Sequence, residues 1–251
     1  MKKPNQVRIS KLVYSKKNPK LVNLFIDGKF EASVLVDSVL SMSLKSGDEI
    51  TEIDLKALKS EAGWQKWIDK ILNFISIRPR SRKEVSDYIK KKLLKYKILN
   101  IETGLEFANF NDETQSQETK NLGLKNNNDL VESLLSFLSE RGYINDVEFA
   151  IWFTRQRLTS NNPKGLKYIK RELVSKGVNK NDIEIAFEKL EKECLEYEQN
   201  ALNKVFLKQV KKYKTKINDP NIKNKIISYL ISKGFSYSDI KLKVDEYTKQ
   251  I

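Results

Sequence analysis

Residues 173–177 read LVSKG, and residues 230–234 read LISKG. The agreement runs past these pentapeptides at one constant spacing of 57 residues, pairing Leu173 with Leu230, Ser175 with Ser232, Lys176 with Lys233, Gly177 with Gly234, Asp182 with Asp239 and Ile183 with Ile240. A glycine after an apolar helical pattern marks a helix that ends through a left-handed residue, which glycine reaches without a Cβ clash. The lysine before each glycine suits the negative end of the helix dipole. Polar residues a few positions later restart the chain as the next helix. The same helix ending is therefore written twice, and the spacing points to one three-helix unit used more than once and stacked on its neighbours.

Working outward, the apolar pattern holds the helical period over most of the chain. Trp64, Trp67, Ile68, Ile71, Leu72 and Ile75 form one continuous stripe, a spacing that aims both tryptophans at a buried face rather than at a ligand. Pro79 stops that helix, and Ser81 with Glu84 reads as a capping box for the next. Further helices follow from Leu130, Leu134, Leu135 and Leu138; from Asn145 as a cap before NDVEFAIWFTRQRL; from Leu166, Ile169 and Leu173; and from Ile183, Ala186, Phe187 and Leu190. The last block repeats that grammar through EQNALNKVFLKQVKKYK, DPNIKNKIISYLISKG and SYSDIKLKVDEYTKQI.

Two stretches break the helical period. Residues 7–54 read as a small β-rich module, in which Asp27-Gly28 sits between two β-branched and aromatic runs as a two-residue hairpin turn. VRISKLVYS supplies a third strand, and VDSVLSMSLKSGDEI a short helix closed by Gly47. Residues 98–128 are polar and aperiodic, which predicts a flexible insertion. The expected fold is mainly α, with tandem three-helix repeats forming three units, elongated and curved, behind a small β-rich N-terminal module. The expected boundaries are 1–62 for that module, 63–144 for a first repeat carrying insertion 98–128, 145–191 for a second and 192–251 for a third.

Composition narrows the function classes. The 251 residues include no histidine, which removes the commonest general base, the usual serine and cysteine catalytic pairs and most zinc sites. The sequence has no phosphate-cradling glycine loop, no Cys/His metal cluster and no nucleophile elbow. Neither an enzyme, nor a metal site, nor a cofactor is expected. A single cysteine, Cys194, excludes an internal disulfide and fits a reducing compartment. No apolar run reaches the length of a membrane span, and the N-terminus lacks the apolar core of a secretory signal, so a cytoplasmic protein is expected.

The net charge of +14 predicts attraction to polyanions, with a lysine-rich proteome as the plain alternative. The excess is uneven. Residues 64–97 carry 11 basic side chains against 3 acidic, whereas residues 129–190 carry 10 against 9.

Three segments in order resemble the RecX regulatory proteins of bacteria. RPRSRKEVSDYIKKKL supplies Arg78, Arg80, Ser81, Glu84 and Val85 of an R-x-R-S-x-x-E-[LV] pattern. LSERGYINDVEFAIWFTRQRL supplies Gly142, Tyr143, Ile144, Asp146, Phe149, Ala150 and Phe153 of a glycine-aromatic step into an F-A-x-x-[FW] helix. PKGLKYIKRELVSKG supplies Pro163, Gly165, Glu172, Leu173, Lys176 and Gly177 of P-x-G and E-L-x-x-K-G. The resemblance covers about 64–97 and 129–250. It implies three tandem three-helix repeats, some members carrying an N-terminal β-rich segment, and a partner: RecA filaments on DNA, whose ATP turnover and strand exchange such proteins usually inhibit. A monomer acting without cofactor or membrane is expected. The departures are the 98–128 insertion, which splits the first repeat, and a weaker match in the first helix of the third.

The candidate contacts to RecA or to DNA phosphate are Arg78, Arg80, Arg82 and Lys83, and, around the turn of the second repeat, Arg155, Arg157, Lys164, Lys167, Lys170 and Arg171. For each the alternative is a solvated helix face. In the first group, cations at a helix start oppose the local dipole, which favours a functional reason for their placement. A stand-alone basic helical-repeat DNA-binding protein is the competing reading, and single- or double-stranded DNA its partner.

Overall fold

The computed structural model describes residues 6–103, 127–213, 217 and 219–249. Its contacts divide the chain into two compact units, one comprising Met1–Ser76 with Ile89–Leu134, the other Ile77–Tyr88 with Leu135–Ile251.

The first unit opens with strands β1 (Gln6–Tyr14), β2 (Leu21–Ile26) and β3 (Lys29–Leu35), a short helix α1 (Val36–Ser41), strand β4 (Glu49–Thr51) and helix α2 (Glu52–Ser76). The strands form one antiparallel sheet in the order β3-β2-β1-β4. The β2–β3 hairpin turns on Asp27 and Gly28, both at positive φ (49° and 77°), as the two-residue turn requires. Ile9, Val22, Leu24, Val34 and Ile50 bury one sheet face together with Leu55 and Leu58 of α2.

Three expectations change here. The helix expected over the residues up to Gly47 stops at Ser41, and Gly47 instead donates its N–H to the Ile9 carbonyl (2.8 Å), tying the approach to β4 onto β1. The fourth strand, only three residues long, is too short to show an alternating pattern. Helix α2 begins at Glu52, so the helix expected from Trp64 runs back through residues 62/63, and its first turns cover the sheet. Within the stripe, Trp67, Ile68 and Ile71 are buried.

Helix α3 (Arg82–Thr103) and helix α4 (Asn127–Glu140) flank the expected insertion. Residues 98–103 and 127–128 are helical, and 104–126, which hold the rest of it, lie outside the described residues. Six helices follow: α5 (Asp146–Thr159), α6 (Leu166–Ser175), α7 (Lys180–Lys189), α8 (Glu191–Lys212), α9 (Pro220–Ser232) and α10 (Tyr237–Lys249). Asn145 caps α5 by accepting the N–H groups of Val147 and Glu148 (2.9 and 3.1 Å). The triplets α5–α7 and α8–α10 share one core, and the 57-residue repeat sets its pattern. Phe149 and Phe206, Ile169 and Ile226, Leu173 and Leu230, and Ile183 and Ile240 are all buried. Complete burial of each leucine pair member is worth about 2 kcal/mol.

The repeated pentapeptides end α6 and α9 in the same turn. The Val178 N–H donates to the Leu173 carbonyl and that of Gly177 to Val174 (3.1 and 2.9 Å), and Phe235 and Gly234 repeat the pair onto Leu230 and Ile231 (3.3 and 2.9 Å). Gly177 and Gly234 sit at φ of 83° and 91°.

Each turn also docks on the start of the preceding triplet's second helix. The Lys176 carbonyl accepts the Ser81 hydroxyl (2.8 Å) at the N-terminus of α3, while the Lys233 carbonyl accepts the Gly165 N–H (2.9 Å) at that of α6. A Cβ on Gly165 would lie 2.3–2.4 Å from the backbone of Gly234 and Phe235, and one on Gly234 would lie 2.4 Å from the Tyr168 nitrogen. These are backbone-to-backbone contacts that no flexible side chain can relieve.

The two kinds of glycine constraint separate by substitution. Gly28→Ala adds a Cβ to open space and carries only the left-handed backbone cost, about 1–2 kcal/mol. Gly234→Ala adds steric overlap to the same cost and should exceed about 3 kcal/mol. Gly165→Ala, at an ordinary φ of −74°, should destabilise through overlap alone. Urea unfolding of the three variants checks the order; equal losses for Gly28→Ala and Gly234→Ala would remove the docking contact from the account.

Candidate partner-binding surface

The first joint, where the α6 ending meets the start of α3, uses most of the first basic group internally. Ser81 caps α3 by accepting the Glu84 N–H (3.1 Å), as the capping box predicts. The Glu84 carboxylate, however, turns away from the cap. It takes a two-pronged contact from Arg78 (2.9 and 3.2 Å) and a third from Lys176 (2.8 Å). Arg78 also lies over the Trp152 ring (5.3 Å) and Lys176 over Phe153 (5.4 Å). Burial alone would raise the Glu84 pKa, but the hydrogen bonds and charges of Arg78 and Lys176 outweigh it, and its carboxyl is held below the usual glutamate range.

The cations at the α3 start have a structural reason too. The Lys83 ammonium donates to the Ser175 carbonyl (3.0 Å), one of the last carbonyls of α6. A charge unfavourable to its own helix is thus favourable to the C-terminus of the next. The Arg82 guanidinium donates to the Ser139 hydroxyl (3.0 Å), and the Arg82 backbone N–H donates to the Asp146 carboxylate (2.7 Å). Arg80 is half-buried beside Arg78 and Glu84.

An equivalent carboxylate recurs at the second joint. Glu198 of α8 accepts the Leu166 N–H (2.9 Å) at the start of α6, as Asp146 of α5 does for Arg82. Burial raises the pKa of both acids, the N–H contacts offset part of that, and the equivalent neighbours Asp182 and Asp239 add to it.

The second basic group disperses. Arg155 makes a two-pronged pair with Glu193 of α8 (2.8 and 2.7 Å), and Arg157 pairs with Glu172 of α6 (2.9 Å). Lys170 leans over Phe187 (4.7 Å) toward α7. What stays together is a patch around Tyr168, with Lys164 and Arg171 over its ring (4.8 and 5.7 Å) and Lys167 exposed on the same helix. Lys233 joins Lys164 there, and lies over Tyr229 (4.9 Å). Burial and the facing Lys233 push the Lys164 ammonium below the usual lysine range. Sequence reasoning missed Lys233, Tyr168 and Tyr229 as surface residues. The available signal was the repeat itself, since Lys233 stands where Lys176 stands.

Elsewhere, burial pushes the Cys194 thiol up to about 11, so it is not a ready nucleophile. Among the described residues no helix is long and apolar enough to cross a membrane.

In the helical unit, helix ends dock on helix starts, and basic side chains stand at these joints. Residues 196–242, within α8–α10, match the family model described as RecX, third three-helix domain. A protein of Listeria innocua called regulatory protein RecX is 29% identical over 98% of this chain and 77% of its own length. A Bacillus subtilis protein of the same description is 28% identical over 95% and 76%. A solved structure of a regulatory protein RecX superposes with a TM-score of 0.64 at 22% identity, covering 95% of this chain and 99% of the other. RecX from Lactobacillus salivarius gives 0.50 at 22% identity over 75% and 97%. Over nearly its whole length the chain is similar to proteins described as regulatory protein RecX, and its α8–α10 segment matches the third three-helix domain of that family.

The Glu84 cluster makes a pH-dependent contribution whose sign is set by its lowered carboxyl pKa. Its stabilisation is present above the ordinary glutamate pKa and is lost as pH falls through the folded value. Asp146 and Glu198, with raised values, act oppositely, contributing at low pH and losing that contribution as pH rises through theirs. Glu84→Gln leaves Arg78 and Lys176 without their shared anion and should cost about 1–3 kcal/mol at neutral pH. The difference between wild type and E84Q in urea unfolding should shrink as the solution is acidified below the glutamate range. A difference that stays constant with pH would remove the charge cluster as its source.

Proposed function

We propose that the protein is a regulator that binds RecA filaments on DNA and lowers their ATP turnover and strand exchange. The observation that carries this reading is similarity over nearly the full chain to proteins named regulatory protein RecX. The architecture supports it physically. Helix ends dock on helix starts through short contacts, so that side chains along the repeated helices can meet successive units of a polymeric partner. The regulator acts in the cytoplasm as a monomer, by binding and without catalysis or cofactor.

The basic side chains divide by role within this reading. Arg78, Arg82, Lys83, Arg155 and Arg157 hold the fold through contacts of their own, and any partner contact they make is additional to that work. Lys164, Lys167 and Arg171 of the Tyr168 patch are the leading partner contacts; Arg80 and Lys170 are secondary. A second reading, a stand-alone DNA-binding protein, is favoured by the net charge of +14.

Titrating the protein into RecA-driven, DNA-dependent ATP hydrolysis tests the proposal, with turnover expected to fall as filament is occupied. Lys167→Glu with Arg171→Glu should weaken that effect at least several-fold while unfolding stability stays within about 0.5 kcal/mol, because both side chains are exposed. Unchanged turnover at excess protein, together with no co-sedimentation with the filament, would reject the RecA reading. DNA binding that persists in that case would favour the second.

A further inference from the structure

The two joints use the same scaffold with one side chain changed. Ser81 and Gly165 occupy the same helix-start position, each preceded two residues earlier by a proline, Pro79 or Pro163. Lys176 and Lys233 occupy the same helix-end position. Counting three residues from the start, the first joint has Glu84 and the second has Tyr168. One residue before the start, the first has Arg80 and the second Lys164.

The consequence is electrostatic. At the first joint Lys176 finds the Glu84 carboxylate at 2.8 Å. At the second, the Gly165–Lys233 backbone bond (2.9 Å) brings Lys164 and Lys233 together, their side chains over Tyr168 and Tyr229. Burial and their interaction shift the Lys164 pKa down, and the same interaction shifts the Lys233 pKa up. Among the described residues no carboxylate lies within ion-pair distance of either. Glu172, whose charge acts on Lys164, is already paired to Arg157. Two ammonium groups this close repel one another unless an anion sits between them.

We propose that the Lys164–Lys233 pair is a phosphodiester-binding site for the backbone of single-stranded nucleic acid, the bound phosphate taking the place that Glu84 fills at the first joint. This deepens the proposed function by naming where the DNA of a filament touches the protein. The choice of nucleic acid over an acidic peptide comes from the aromatic rings. Tyr168 and Tyr229 lie beneath the two ammonium groups, and Lys167 and Arg171 continue the basic surface along α6. Cations interleaved with aromatic faces suit a chain of alternating phosphates and bases.

The test uses the full chain without RecA, so its outcome is separate from that of the ATPase titration. Binding of a fluorescent oligothymidylate is followed by anisotropy across a salt series. Lys164→Gln with Lys233→Gln should weaken binding about tenfold or more and reduce the log–log salt slope by about 0.7, the value of the one single-strand phosphate contact the pair makes. Tyr168→Glu keeps the Cβ that packs on Gly234 and gives Lys233 the internal partner that Lys176 has. It should raise the melting temperature at neutral pH while lowering the salt slope similarly. Lys176→Gln, at the joint that supplies its own anion, should leave the slope unchanged. The proposal is overturned by an unchanged slope in K164Q/K233Q, by loss of slope only in K176Q, or by a polyglutamate peptide that competes as well as an unlabelled oligothymidylate.

Discussion

Everything in the helical half of the molecule depends on how closely two backbones approach where one helix ends and another begins. At the joint between the last two triplets, Gly165 and Gly234 touch with no room for a Cβ on either. That contact converts a helix terminus, normally a cluster of unsatisfied carbonyls, into a docking surface. The Lys233 carbonyl is satisfied by the next helix instead of by water. The C-terminus of α9 therefore meets the N-terminus of α6, and the C-terminus of α6 meets that of α3, an arrangement in which opposite dipole ends face each other. Packing then follows, because the same register delivers Ile169, Ile226, Leu173 and Leu230 to the interior.

The charges are organised around this arrangement. Lys83 stands at the wrong end of its own helix and at the right end of its neighbour's. Asp146 and Glu198 each cap the first N–H of a second helix from the triplet that follows it, tolerating partial burial to do so. A basic residue at a joint is therefore a structural element first. An arginine in a two-pronged pair with a glutamate, such as Arg155–Glu193 or Arg78–Glu84, adds nothing to the net charge of +14, so that excess is carried by other cations.

This explains what sequence could and could not show. The helix endings at Gly177 and Gly234, the Asn145 and Ser81 caps and the Asp27-Gly28 hairpin were legible, because each rests on local chemistry within a few residues. The start of α2 was not, because Leu55 and Leu58 are buried by a sheet distant in sequence and the β-rich composition around them hides the helical period. The roles of Arg78, Arg82 and Lys83 were not legible either. Their partners Ser139 and Ser175 lie 57 and 92 residues away, and Lys176, which shares Glu84 with Arg78, lies 92 from it. Spacing shows that a cation faces a certain side; it does not show which anion or carbonyl is waiting there.

Internal repetition supplies the missing information once both copies can be superposed in the mind at the level of contacts. A single joint with two lysines and a tyrosine would read as an ordinary basic patch. Beside its counterpart, where Glu84 closes the same position, Tyr168 marks the difference, since it brings no carboxylate to the second joint. The Glu84 carboxylate holds Arg78 and Lys176 within the first joint, whereas Tyr168 brings no such anion to Lys164 and Lys233 at the second. Stability and recognition are thus divided between two versions of one joint, and the residue that distinguishes them is the third of a helix.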